Sequence, residues 1–206
     1  MYLVFFVFAA ATAKKVFAIA RLPRHLRWDL YPIAHEGPGG SAFQRAEFWR
    51  RPRPFSLAHE LAEMAGEILF LKRTFRNNRR IWNFSYPMHV GFYLIVGWLG
   101  LITAGGAAEL ATGLKVSAAS TGFAAQVLNA ATVLVGAGGL VLGLFGCVGL
   151  LWLRLTDEDL REYSSPVTFF NLYLLIALFA GGLAAWLTED PSFTLARGWE
   201  IGRAHV

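Results

Sequence analysis

Few groups in the hydrophobic part of this chain could do chemistry, and one histidine leads them. His89 stands in "SYPMHVGFYLIVGWLGLI", residues 85–102, near the start of a long apolar run. A neutral imidazole there has two readings. It can face the lipid headgroups, or its Nε2 can be an axial ligand to the iron of a b-type haem held between helices. Ligation by two imidazoles leaves iron no open position and suits electron transfer, but it needs a second histidine at membrane depth. His25, His35 and His59 precede the run and His205 lies in the last six residues, so His89 is the one this sequence supplies there.

Other candidates surround it. Arg79 and Arg80, just ahead of the run, could make charge-assisted contacts to haem propionates; they equally read as basic residues flanking a span. His59 and Glu63, four apart on a helix, could suit a metal, but the H-E-x-x-H zinc signature is absent and a solvated face is the better reading. Cys147 is the single cysteine. It rules out an intrachain disulfide, a cysteine-ligated iron–sulfur site and a C-x-x-C-H haem attachment, and reads as a small packing residue.

The elements that must position these groups follow from where charge is missing. The chain of 206 residues is 55% hydrophobic and 16% charged, too apolar for an ordinary soluble domain. No Asp, Glu, Lys or Arg lies between Arg80 and Glu109, between Lys115 and Arg154, or between Glu162 and Glu189. Each gap exceeds the roughly 20 residues a helix needs to cross the hydrocarbon. Spans are expected at 83–104, 129–152 and 167–187, the first with Trp82 and Tyr86 as interfacial residues and Pro87 in its first turn. Gly136, Gly138, Gly139, Gly143, Gly146 and Gly149 line the middle one, for close helix packing or, as the lesser reading, for a flat porphyrin.

Residues 1–20 hold another apolar stretch, interrupted by Lys14 and Lys15. A signal peptide would place its basic residues before the apolar run. A complete span to Ala20 with snorkelling lysines and a span missing its upstream half are the other readings, and the incomplete span is the one adopted.

Fourteen of the nineteen basic residues fall between Lys14 and Arg80, and basic loops stay cytoplasmic. The amino terminus is therefore expected outside, 21–82 in the cytoplasm, 105–128 outside, 154–166 in the cytoplasm, and the chain outside after Leu187. Basic residues set between spans speak for topology and against nucleic-acid binding. Within 21–82, "SLAHELAEMAGEILFLKRTF" reads as a helix capped by Ser56. Trp28, Tyr31, Phe48 and Trp49 suit a membrane interface or a docking surface. The acids Asp157, Glu158, Asp159 and Glu162 read as solvated charge.

Four stretches carry a resemblance: "LPRHLRWDLYPIAHEG", "GGSAFQRAEFWRRPR", "EILFLKRTFRNNRRIWNFSYPMHVGFYL" and "LRLTDEDLREYSSPVTFFNL". Across nearly all of residues 14–190 the chain resembles the membrane cytochrome b subunits related to the gamma subunit of respiratory nitrate reductase. It is most similar to those paired with heterodisulfide-reductase-like iron–sulfur proteins in methanogens and sulfate reducers. The resemblance implies an all-α integral membrane bundle, four spans present of five, in a prokaryotic cytoplasmic (inner) membrane. It implies haem b, one group and in the nitrate reductase branch a second, and electron transfer between a menaquinone-type quinone and a cytoplasmic iron–sulfur partner.

His89 matches the first haem histidine of that family. The second would fall at Leu99, which cannot ligate iron, and the partner of His89 would lie in a fifth helix. "EIGRAHV" at the end looks like translated sequencing adapter, so 201–206 is expected to be a non-native tail and the chain a fragment. The competing expectation is a haem-free anchor that docks a cytoplasmic redox enzyme. A transporter fits poorly, since the expected spans hold no ionised residue.

Overall fold

The computed structural model describes residues 2–21, 50, 57–113, 115–200 and 202. They belong to two compact units, 1–68 and 69–206. His25, His35, Trp28, Tyr31, Phe48, Trp49, Ser56 and His205 lie outside the described residues.

In the first unit, α1 (Tyr2–Ala20) runs unbroken through Lys14 and Lys15. Lysine is a good helix former, so the pair interrupts the apolar run without ending the helix. α2 (Leu57–Phe70) carries Leu61, Met64 and Ile68 at helical spacing. It ends earlier than the sequence suggests, because Leu71 takes a left-handed backbone, φ 49° and ψ 45°. α3 (Lys72–Asn77) follows the break and belongs to the second unit. The carbonyl of Phe70, orphaned by it, accepts the Trp82 indole N–H at 2.9 Å, as a helix end requires.

Beside α3, the second unit contains α4 (Arg79–Thr112), α5 (Phe123–Thr156), the short α6 (Glu158–Glu162), α7 (Pro166–Thr188) and α8 (Thr194–Glu200). Three helices among the described residues, α4, α5 and α7, are long and apolar enough to cross a membrane. They contain the three expected spans and mark a multi-pass membrane protein.

α4 starts earlier than expected. Asn78 caps it, its side chain accepting from Ile81 N at 3.0 Å, so Pro87 stands inside the helix. Having no N–H, Pro87 leaves the Asn83 carbonyl without its ladder bond. At 1.5 Å per residue His89 is about 15 Å along the axis from Arg79, deeper than a first-turn proline would put it.

Lipid tails are as apolar as leucine, so these helices are held by close packing rather than by escape from water. The glycines of α5 supply it. A Cβ at Gly91 of α4 would come within 2.5 Å of Gly143 N, and one at Gly146 within 2.5 Å of Met88 N. Gly149 lies under the Phe84 ring, Gly136 under Trp98 and Phe193, and Gly143 also under Phe179 of α7. The glycine face is thus filled by helix backbone and aromatic rings. Phe92 and Phe179 meet at 5.3 Å between centroids, and Cys147 and Leu153 are fully buried beside the seam.

At one end, Arg80 Nη1 pairs with Asp157 Oδ2 at 2.9 Å, joining the start of α4 to the end of α5. Asp157 also caps α6 by accepting from Leu160 N at 3.2 Å. It is therefore a structural partner, and reading this loop as solvated charge alone missed it. Ser165 caps α7 and Pro166 opens its first turn, as the sequence predicts.

Candidate functional site

His89 is half-buried on α4. Its Nδ1 lies 2.7 Å from the carbonyl oxygen of Ser85, one turn back, with the Ser85 hydroxyl at 3.5 Å. A carbonyl only accepts, so that bond puts the ring proton on Nδ1 and leaves the lone pair on Nε2. Metal-ligating histidines have this arrangement: the far nitrogen donates to a carbonyl or carboxylate, fixing tautomer and ring orientation.

Helical geometry sets where Nε2 is offered. Met88 and Gly91 face α5, and each residue advances about 100°, so His89 sits roughly 100–160° round the helix from them. It shares that flank with Tyr93 and Val96, the latter 68% exposed. A haem on His89 would lie on this outer flank of α4, away from the glycine seam. The donor set fits one axial ligand. No cluster of three or more His, Cys, Asp or Glu occurs among the described residues, and no second described histidine in the second unit opposes His89. Leu99, where a further haem histidine would fall, is about half-exposed.

Arg79 and Arg80 each have a partner within the protein. The Arg79 guanidinium lies 3.4 Å over the Phe75 ring, and Arg80 is paired with Asp157. Phe75, Trp82 and Tyr86 continue the cluster, Trp82 and Tyr86 stacked at 4.7 Å. These arginines and His89 are separated by about 13–15 Å of helix axis.

Two features escaped the sequence reading. The first is a cleft of about 500 Å³ between α4, α5, α7 and α8, lined by Phe92, Trp98, Phe179, Trp186 and Phe193 among others. Phe193 sits at φ 54°, an uncommon conformation for an aromatic residue. It is 6% exposed and held edge-on to Trp98 at 5.0 Å. Asp190 fixes the turn by accepting from Thr194 N at 2.8 Å and Ala196 N at 2.9 Å.

The second is a buried ion pair, Arg197 with Glu109, 88 residues apart. In the sequence Arg197 is merely the one basic residue between Leu187 and the last six residues. Its place in "TLARGWE", between apolar and aromatic neighbours, is the signal that could have found it.

Compared with protein-family models, with characterised proteins and with solved structures, the chain matches none.

Proposed function

We propose that the protein is a haem b membrane subunit of an oxidoreductase complex. It would carry electrons between a membrane quinone of the menaquinone type and a cytoplasmic iron–sulfur partner of the heterodisulfide-reductase-like kind. The observation that carries the reading is His89, an imidazole on a membrane-spanning helix whose Nδ1 is tied to the Ser85 carbonyl at 2.7 Å and whose Nε2 keeps its lone pair. The likeness of residues 14–190 to the nitrate reductase gamma-subunit family supplies the rest: a second imidazole from a further span, residues 21–82 on the cytoplasmic side of a prokaryotic inner membrane, and the amino terminus outside.

When bound, the haem would supply one-electron chemistry, and the protein supplies ligation, orientation and burial. His89 would offer the ligand nitrogen. Ser85 holds the tautomer through its backbone, so the arrangement does not depend on a side chain that could be lost. Arg80 pairs with Asp157 across the ends of α4 and α5.

A second reading is a haem-free anchor for a cytoplasmic redox enzyme. The absence of an opposing histidine among the described residues of the second unit favours it. Reduced-minus-oxidised difference spectra of the protein purified from its own membranes separate the two. A b-type band supports the electron-transfer subunit, and a flat spectrum from protein that still co-purifies with its partner supports the anchor.

A further inference from the structure

The end of the second unit away from Arg80 and Asp157 holds buried polar groups for which the electron-transfer reading has no use. Arg197 of α8 is 1% exposed and Asn129 of α5 is 5% exposed. Arg197 Nη1 donates to the Val116 carbonyl and, at 3.4 Å, to Glu109 Oε1. Glu109 Oε1 also accepts from Val116 N at 2.9 Å. Arg197 Nε, Arg197 Nη2 and Asn129 Oδ1 are left buried with no hydrogen bond to the protein. Stranded donors and acceptors of this kind are strongly disfavoured, a guanidinium above all.

Helix register brings these orphans to one level. Phe84, Met88, Gly91 and Trp98 of α4 stand against Gly149, Gly146, Gly143 and Gly136 of α5. Carried further, that antiparallel register sets Ile102 against Thr132 and Gly105 against Asn129, and all four are buried. Arg197 lies on the same Gly105: a Cβ there would meet its Nε at 2.7 Å. The absence of a side chain at residue 105 makes room for the guanidinium. Two donors from α8 and one acceptor from α5 thus flank one level of the seam.

We propose that Arg197 and Asn129 hold a buried water molecule, which accepts from Arg197 Nε and Nη2 and donates to Asn129 Oδ1. About three hydrogen bonds to otherwise unpaired groups is the usual complement of an internal water. An anion fits less well. Glu109 already balances the guanidinium charge, and the Asn129 oxygen would repel a second negative group. The water completes a chain from Glu109 through Arg197 to Asn129 that ties α8 to both α4 and α5. Because α8 gives Leu195, Ala196 and Trp199 to the wall of the cleft, the bound water also fixes the shape of that wall. None of this depends on haem.

The direct test is a density map of the wild-type protein in a lipid disc at a resolution that shows ordered water. The expected result is one compact peak within hydrogen-bonding distance of Arg197 and Asn129. An extended or tetrahedral peak, or continuous side-chain packing with no peak, would overturn the proposal. Thermal midpoints give an independent reading. Asn129→Leu should lower the midpoint by about 4 °C or more, whereas Asn129→Thr, which keeps an uncharged oxygen acceptor, should lower it less. Combining Asn129→Leu with Arg197→Leu should cost less than the sum of the two. Additive losses, an unchanged Asn129→Leu midpoint, or a midpoint raised by added phosphate would each refute a bound water.

Discussion

His89 differs from the other polar residues of the spans in what its two nitrogens are offered. One is bonded to a backbone carbonyl; the other keeps its lone pair. Ser85→Ala should therefore leave any haem spectrum unchanged, because the anchoring oxygen belongs to the main chain, and a shifted band would mean that the hydroxyl holds the ring instead. Arg80 and Asp157 form a well-placed pair, but the side chains are 57% and 26% exposed. Solvent and salt screen such a pair, so Arg80→Ala should cost less than about 1 kcal/mol. Its effect on the thermal midpoint should shrink as salt is raised, and a loss that is large and insensitive to salt would contradict this assignment.

At the scale of elements, the α4–α5 seam depends on glycine at particular turns. Gly91→Ala and Gly146→Ala each drive a methyl into the facing backbone, and overpacking of this kind costs about 1–3 kcal/mol. Gly100 and Gly181 have open space where a Cβ would go. Alanine there should be neutral or stabilise by up to about 1 kcal/mol, since glycine is a poor helix former. Cys147 offers a built-in readout. It is the only cysteine and is fully buried beside the seam, so a thiol-reactive dye should label it only as the helices separate. Midpoints from that labelling should fall for the first pair of variants and not for the second. Rapid labelling of the native protein would show that the seam is open.

At the scale of the whole molecule, the spans were legible because exclusion of charge from lipid is written in the sequence over stretches longer than a crossing. Ser165 and Pro166 were legible too, because capping is local chemistry. Pro87 was misplaced because Asn78, a cap eight residues upstream of Tyr86, starts α4 before the apolar run begins. Arg80 with Asp157 and Glu109 with Arg197 were invisible for another reason. Each pair joins residues 77 or more apart, and only the antiparallel fold brings them together. The glycine face was seen but left between two partners, and packing against Phe84, Met88, Gly91 and Phe179 decides for protein.

The proposed electron-transfer role requires His89 to ligate haem on the outer flank of α4. The measurement that tests it most directly compares reduced-minus-oxidised spectra of His89→Ala and Leu99→Ala with that of the unaltered protein. All three should be purified from the same membranes at matched yield. The prediction is a b-type band in the unaltered protein and in Leu99→Ala, lost or strongly diminished in His89→Ala. A band of undiminished height in folded His89→Ala, or no band in any of the three, would contradict it.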